Sequence, residues 1–308
     1  MLFIYHTVGD EIVYEDNFEK GSWINLINPT EAEIQKVVAG TGLSYDFLKY
    51  PLDDEELSRV ETEDDQVLII FNAPIMTKDA VIYDTIPVGI VLNDDFIVTV
   101  CLDDVNLFQE YASSKLKGVA TFKRTRFIFQ LFNKKTKLFL KYLRDINKQN
   151  TEIERRLNAS MKNQELFQLL NMQKSLVYFS TSLRANAKVL ERILKSKAIK
   201  MYEEDKDLLD DVIIENTQAA EMAEIYSNIS ASTMNAFASL ISNNLNNVVK
   251  FLTAITIILA IPTMFASFWG MNVDVPLTST PWAFFLIIGI SFAACGLGAL
   301  FLNKKNML

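Results

Sequence analysis

Two long apolar runs stand out near the C-terminal end of the chain. Residues 251–269 and 282–302 comprise 19 and 21 residues without a charged side chain. A helix needs about 20 apolar residues to cross a hydrocarbon core of about 30 Å. Buried helices of soluble proteins rarely run so long without a charged face. The pattern therefore predicts two transmembrane helices, the first over residues 248–269 and the second over residues 282–302.

Shorter apolar stretches, punctuated by glycine and proline, fill the first 118 residues and are typical of a mixed α/β domain. Thr30 followed by Glu33 is a capping-box pattern that predicts a helix through Val38. A second helix is predicted over residues 45–57. The predicted strands cover residues 2–8, 22–26, 67–71, 81–92 and 96–101, with a hairpin turn at Asn93-Asp94-Asp95.

Residues 119–261 contain neither glycine nor proline, which favours long helices. Apolar positions at helical spacing predict two helices, at about 121–157 and 164–201, joined by a turn at Asn158-Ala159-Ser160. A third helix begins near Glu203 and continues without interruption to Pro262, into the first predicted span. At 1.5 Å per residue, about 60 residues would extend about 90 Å. We therefore expect a stalk that projects from the membrane.

These patterns divide the chain into successive segments. They are a mixed α/β domain at 1–118, long cytoplasmic helices and stalk at 119–247, the first span at 248–269, an external loop at 270–281, the second span at 282–302, and a tail at 303–308. Lysines flank the spans at Lys250, Lys304 and Lys305, whereas the connector has no lysine or arginine. By the positive-inside rule, both termini are expected to be cytoplasmic. The first 16 residues lack a basic region and do not resemble a signal peptide.

Charge is distributed unevenly along the chain. Residues 1–110 carry 23 acids and 5 bases, and residues 111–200 carry 5 acids and 21 bases. The basic residues recur on predicted helices whose opposite faces are apolar, so we interpret them as a solvated face rather than a nucleic-acid surface. This set includes Lys123, Arg124, Arg126, Lys134, Lys135 and Lys137.

Residue types that build common catalytic and metal sites are scarce. The two cysteines, Cys101 and Cys295, lie far apart, and His6 is the only histidine. A disulfide framework and an imidazole-built zinc site are therefore excluded. No phosphate-binding glycine loop and no nucleophile elbow occur. The sequence thus predicts a protein that is not an enzyme and that needs no organic cofactor.

Small and polar residues form a stripe along the first span, which we call the polar stripe. On a helical wheel its members fall within about 100°, while Phe251, Ile255, Ile258 and Phe265 lie largely outside it. Two helices cannot enclose a water-filled path, so a transporter would require several subunits around an axis. Close packing of membrane helices explains such a stripe equally well. The polar stripe comprises Asn246, Val249, Thr253, Thr256, Ala260, Thr263 and Ser267.

The tripeptide Gly270-Met271-Asn272 follows directly after the first span. Together with the long stalk, the two C-terminal spans and the short connector, it resembles the CorA family of divalent metal ion transporters over the whole chain. The resemblance implies a homopentamer with a funnel of cytoplasmic α/β domains and a pore lined by the first span. It also implies that Asn272 forms a ring around a hydrated Mg²⁺ ion, that Gly270 permits a tight turn, and that Met271 packs. A neutral amide suits a hydrated Mg²⁺ ion, which gives up its water reluctantly.

The resemblance assigns further roles inside the pore and on the stalk. Asn246 is expected to form a polar ring near the cytoplasmic end, and Val249 with Leu252 a hydrophobic constriction that closes by dewetting. Asp211 corresponds to a stalk carboxylate that binds regulatory Mg²⁺ between subunits, although the sequence identifies no partner for it on the α/β domain. The connector departs from the family pattern because it carries a single acid, Asp274, which leaves the choice among Mg²⁺, Co²⁺ and Ni²⁺ open.

The function predicted from these features is channel-like transport of hydrated Mg²⁺ across the plasma (inner) membrane, gated by cytoplasmic divalent ions. The predicted partners are further copies of the chain, five in all, the lipid bilayer and divalent metal ions, without nucleic acid. The alternative is a two-span signalling or scaffold protein whose stalk transmits a conformational change. That alternative leaves the placement of Asn272 unexplained.

Overall fold

The computed structural model describes residues 1–9, 11–77, 83–105, 119–160, 163–196, 199–272 and 282–305. Two compact units are present, Met1–Met234 (the first unit) and Asn235–Leu308 (the second unit). The first unit contains a sheet with helices on both faces, whereas the second contains the two long apolar segments. The unit boundary lies within one helix, Glu203–Trp269, which belongs to both units.

Seven strands form one sheet in the described part of the first unit. They are β1 (Leu2–Val8), β2 (Glu11–Glu15), β3 (Trp23–Ile27), β4 (Arg59–Glu63), β5 (Gln66–Met76), β6 (Tyr83–Leu92) and β7 (Ile97–Cys101). Their order across the sheet is β2-β1-β3-β7-β6-β5-β4. Neighbouring strands run antiparallel except β3 and β7, which are parallel, with Trp23 opposite Ile97.

The five predicted strands are confirmed to within a few residues, apart from β5, which extends to Met76. Residues 81 and 82 of one prediction lie outside the described residues. The turn at Asn93 is confirmed, because its Oδ1 accepts hydrogen bonds from the backbone of Asp95 and Phe96. The predictions missed β2 and β4. Both are five-residue strands at opposite edges of the sheet. β4 contains a single apolar residue, Val60, and the apolar run of β2 is only three residues long, Ile12–Tyr14.

Short helices cover one face of the sheet. α1 (Glu31–Thr41) begins with the predicted capping box and ends at Gly42, whose left-handed φ of 72° suits glycine. The prediction of a helix over residues 45–57 is wrong in its second half. The observed helix, α2 (Tyr45–Lys49), is followed by one 3₁₀ turn over Tyr50–Leu52. Pro51 lacks the amide hydrogen that would continue the α-helical bonding pattern.

Four long helices make up the remainder of the described chain. They are α3 (Arg124–Ser160), α4 (Asn163–Lys195), α5 (Glu203–Trp269) and α6 (Ala283–Lys304). The turn predicted at Asn158-Ala159-Ser160 is wrong, because these residues still belong to α3. None of the three is a strong helix breaker, so the helix continues through them. The connection to α4 then falls at residues 161–162, outside the described part of the chain.

Hydrophobic side chains alternate between the two faces of the sheet. On one face, Leu68 and Ile70 pack in a cluster with Ile34 of α1 and Phe47 of α2. On the other face, Ile69 and its neighbours pack against α3, α4 and α5. The helical members of this second cluster include Phe127, Phe132, Val189, Leu190, Leu209 and Val212. The first unit is therefore a three-layer structure, with the sheet between two layers of helices.

Candidate functional site

The second unit contains two helical segments with the length and composition of membrane spans, the C-terminal part of α5 and the whole of α6. Most residues of both segments are exposed. Buried core helices of a soluble protein do not expose their apolar side chains in this way. The observed bounds of α6, Ala283–Lys304, agree closely with the predicted second span.

Helix α6 lies along one side of the membrane segment of α5. Ala254 is fully buried on that side. The carbonyl oxygen of Ile258 accepts a hydrogen bond from the Cys295 thiol of α6, with an Sγ to O distance of 3.4 Å. One turn further on, a Cβ added at Gly298 would lie 3.0 Å from Cδ1 of Ile261. Glycine thus lets the two helices approach closely, as small residues do in membrane proteins.

The polar stripe faces away from α6. Thr256 and Ala260 are each two residues from Ile258, which places them about 200° around the helix from the contact side. Every one of the seven stripe residues is exposed, as is Leu252. By contrast, Ala254 is buried, and Ile255, Ile258, Ile261, Pro262 and Phe265 are partly covered. Within the second unit, therefore, the stripe is not explained by packing of α5 against α6.

The threonine hydroxyls of the stripe donate their hydrogens in one direction, toward the helix backbone. Each Oγ1 donates its hydrogen to the backbone carbonyl four residues earlier, at 2.8 Å for Thr253, 2.8 Å for Thr256 and 3.1 Å for Thr263. Their remaining lone pairs accept hydrogen bonds from the exposed side. Water bound to a cation points its hydrogens outward, so a surface that offers acceptors is suited to a hydrated cation.

The motif Gly270-Met271-Asn272 lies at the end of α5. Gly270 donates its backbone N–H to the carbonyl of Ala266 at 2.9 Å, which closes the last helical turn. Met271, to which the resemblance gives a packing role, is 53% exposed in the single chain. Asn272 is also exposed. The connector at residues 273–281, including Asp274, lies outside the described residues.

The stalk carboxylate Asp211 lies on an exposed face of α5 in the first unit, as do Asp207 and Asp210. Among the described residues, no group of three or more histidine, cysteine, aspartate or glutamate side chains is arranged to hold a metal ion. The described part of one chain thus brings no complete set of carboxylate ligands to Asp211. A site shared between subunits, as the resemblance implies, would draw its other ligands from a neighbouring copy.

The prediction of a solvated face is wrong for one residue of the basic set, Lys135. Its side chain is fully buried and contacts Asn216 of α5. The signal that could have placed it is its spacing. It lies three and four residues from Phe132 and Phe139, both of which are buried, so it falls within the apolar side of α3.

Together, a three-layer α/β unit, a helix that continues into a membrane span and a second span packed on one side of it define a two-span membrane protein. The family model for the CorA-like Mg²⁺ transporter protein matches residues 18–305. The chain therefore belongs to the CorA family, as its resemblance had predicted.

Curated relatives of similar length carry this name. The cobalt/magnesium transport protein CorA of Methanocaldococcus jannaschii is 29% identical over 292 residues, which cover 91% of this chain and 89% of that protein. The magnesium transport protein CorA of Helicobacter pylori is 23% identical, over 81% of this chain and 79% of the relative.

Solved structures share the fold along almost the whole chain. The complete structure of the CorA magnesium transporter from Methanocaldococcus jannaschii matches with a TM-score of 0.82 at 24% identity, covering 99% of this chain and 96% of that one. The full-length CmaX protein matches with a TM-score of 0.74 at 14% identity, covering 100% and 97%. At these identities the structural likeness concerns the fold alone.

Proposed function

We propose that this chain is one subunit of a channel-like transporter that moves hydrated Mg²⁺ across the plasma (inner) membrane, down its electrochemical gradient. The observation that carries the proposal is the exposed polar stripe of α5, which faces away from α6 and leads to Asn272. Relatives named as magnesium and cobalt/magnesium transport proteins support the choice of ion. Co²⁺ and Ni²⁺ are the alternative cargoes.

The pore in this proposal is formed by five copies of α5 around an axis, with α6 on the lipid side. The helix hydroxyls accept hydrogen bonds from the water shell of the ion, and Asn272 supplies a ring of amide oxygens at the outer mouth. Neutral oxygens bind weakly at several successive positions, as conduction requires. With both termini in the cytoplasm, an inside-negative potential drives entry. Two charges crossing 100 mV correspond to about 4.6 kcal/mol.

Closure of the pore is assigned to Val249 and Leu252, which are 52% and 63% exposed in the single chain. A ring of such side chains excludes water when it narrows and blocks a hydrated ion. Asn246 lies one turn before this constriction and would form a polar ring on its cytoplasmic side. Regulation is assigned to Asp211, through Mg²⁺ bound between subunits.

A scaffold or signalling role is less well supported. Such a protein needs a stalk and an anchor, but it has no need of a polar surface along the membrane segment of α5. It also gives no role to an exposed asparagine at the end of that surface.

The decisive experiment is uptake of Mg²⁺, Co²⁺, Ni²⁺ and Zn²⁺, in competition, into liposomes that contain purified wild-type protein or Asn272→Ala. We expect the variant to lose selective divalent uptake by at least about tenfold, since each lost discriminating interaction of about 1.4 kcal/mol changes a ratio tenfold. Asn303→Ala is the matched control, because Asn303 is an exposed asparagine near the end of α6, away from the polar stripe.

Assembly is measured on the same samples by native mass spectrometry, with five copies expected for all three proteins. Equal and equally selective uptake by Asn272→Ala would contradict the proposed role of Asn272. A dimer or trimer as the only species of the wild type would contradict the pentameric pore.

A further inference from the structure

A lysine with no acidic partner among the described residues lies in the core of the first unit. The side chain of Lys135, on α3, has no exposed surface. Its ammonium Nζ lies 3.3 Å from Oδ1 of Asn216 on α5. Three phenylalanine rings surround it, with centroids at 5.1 Å for Phe132, 5.6 Å for Phe71 and 5.9 Å for Phe139. The ammonium group is thus held by one amide oxygen and by the faces of aromatic rings.

Asn216 connects this lysine to a third helix. Its Nδ2 donates a hydrogen bond to the backbone carbonyl of Leu183 on α4, at 2.9 Å. That bond fixes the orientation of the amide, so Oδ1 is directed to Lys135 as an acceptor. Asn216 is itself fully buried. A single side chain of α5 is therefore hydrogen-bonded to both α3 and α4 at one level of the helix.

Charged groups on the surrounding elements do not compensate the lysine. Strand β5, which contributes Phe71, contains no ionisable side chain. On α5, half-buried Glu215 is next to Asn216, and on α4, Arg184 is next to Leu183 but forms an exposed ion pair with Glu224. On α3, the flanking residue is partly buried Lys134. Burial alone accounts for the lowered pKa of Lys135.

Burial lowers the pKa of Lys135 to about 7, well below the ordinary value for lysine. In a conformation that exposes the side chain to water, its pKa returns to about 10.4. The exposed conformation therefore binds the proton more tightly than the packed one. Raising the pH above about 7 favours the packed conformation, by up to about tenfold per pH unit, and below pH 7 the balance no longer changes.

We propose that protonation of Lys135 controls how firmly α5 packs against α3 and α4. The packing is tight when the lysine is neutral and loosens when it is protonated. The device acts on the helix that also carries the polar stripe. It requires no metal ion and does not depend on which ion is transported. It adds a response to cytoplasmic pH to a molecule whose proposed regulation otherwise depends on Mg²⁺.

The test is amide hydrogen exchange of the full chain in lipid nanodiscs at fixed Mg²⁺, at pH 7.0 and 8.5, with rates corrected for intrinsic exchange. In the wild type, protection of the α5 segment around Asn216 is expected to rise roughly tenfold at the higher pH. Absence of any rise in the wild type would overturn the proposal without recourse to a variant.

Two variants separate Lys135 from other titrating groups. Lys135→Met keeps an unbranched apolar side chain, one atom shorter, without the charge. Protection at pH 7.0 should therefore equal or exceed that of the wild type and should not change with pH. Lys137→Met is the matched control, because Lys137 is exposed on the same helix, and it should keep the wild-type response. A pH response of Lys135→Met equal to that of the wild type would also overturn the proposal.

Discussion

Buried polar side chains of the first unit are joined in short, specific hydrogen-bonded chains. At the parallel pair of β3 and β7, Nε1 of Trp23 donates to Oγ1 of Thr99 at 2.9 Å, and that hydroxyl donates to Oδ1 of Asn25 at 2.9 Å. All three side chains are almost fully buried. The hydroxyl thus satisfies one donor and one acceptor that have no access to water.

Removing this hydroxyl should be costly. Thr99→Val keeps the shape of the side chain but removes the hydroxyl that accepts from the indole N–H and donates to the amide oxygen. Loss of a buried hydrogen-bond partner costs about 1–3 kcal/mol for each group. We expect a loss of about 2–4 kcal/mol in the free energy of unfolding. Thr99→Ser retains the hydroxyl and should lose about 1 kcal/mol, for the missing methyl group.

Thermal and denaturant unfolding of the two variants, in the same detergent, checks this expectation. The result that counts is the difference between them. Equal stability of Thr99→Val and Thr99→Ser would show that the hydroxyl contributes nothing measurable.

Single residues were predictable where their partners are local in sequence. The capping box joins Thr30 and Glu33, three positions apart, and is confirmed. The hydrogen bond from the Thr30 backbone lowers the pKa of Glu33. The burial of Lys135 could have been inferred from its spacing to Phe132 and Phe139, but its contacts could not. Phe71 and Asn216 are 64 and 81 positions away in the chain, and no local pattern indicates such partners.

A hydrogen bond links the two spans at the position where proline interrupts the backbone hydrogen bonding of the first span. Pro262 lies inside α5 and has no amide hydrogen to donate to the carbonyl of Ile258, four residues earlier. The Cys295 thiol of α6 donates to that same carbonyl. Neighbouring helices commonly satisfy backbone groups that proline frees in a membrane. Cys295 is thus a hydrogen-bond donor whose role depends on Pro262.

This dependence can be measured with a double-mutant cycle. Cys295→Ala should destabilise the protein by about 0.5–1 kcal/mol, and Cys295→Ser should be neutral or stabilising, because a hydroxyl is a stronger donor than a thiol. In a Pro262→Ala background the helix supplies its own N–H, so Cys295→Ala should cost less there. Melting temperatures of the four cycle members in one detergent give the coupling. A cost of Cys295→Ala that is the same in both backgrounds would contradict the proposed pairing.

Helices and strands were easier to predict when their apolar pattern was long and clearly distinct from the flanking residues. The two long apolar helices and the five predicted strands are confirmed, whereas the edge strands β2 and β4 were missed because their apolar runs are three residues long or shorter. Helix ends were less predictable. Pro51 stops a helix that the sequence analysis continued, and Asn158–Ser160 continue a helix that it stopped. The exposure of the polar stripe could not be read from its composition, because small polar residues also line helix contacts.

The proposed regulation by Mg²⁺ depends on acidic residues of neighbouring subunits in the assembled molecule. Asp211 is exposed on α5 with Asp207 and Asp210 nearby in sequence, and no described group in the same chain completes a metal site. Carboxylates that face one another between subunits would repel, and a bound Mg²⁺ ion would remove that repulsion. High cytoplasmic Mg²⁺ therefore favours the closed, symmetric assembly in our proposal.

Asp211→Ala tests this regulation. The change removes a ligand and also one repelling charge, and we expect the loss of the ligand to dominate because other acids remain. The variant should show less protection of the stalk from protease at high Mg²⁺ and less inhibition of uptake by internal Mg²⁺. Protease digestion across a Mg²⁺ titration, in wild type and variant, measures the first effect. Identical protection curves would exclude Asp211 from the sensor.

The layering of the first unit has a consequence for the biosynthesis of the chain. The most C-terminal fully buried member of the large cluster on the sheet is Val212, while the first span was predicted to begin at residue 248, 36 residues later. At about 5–20 residues per second, ribosomes need about 2–7 s to synthesise that interval. Every strand of the sheet, and every helical residue of the large cluster, is thus made before any membrane segment. The α/β unit can therefore fold before the spans insert into the bilayer. The apolar faces of its sheet need not remain exposed to water during insertion.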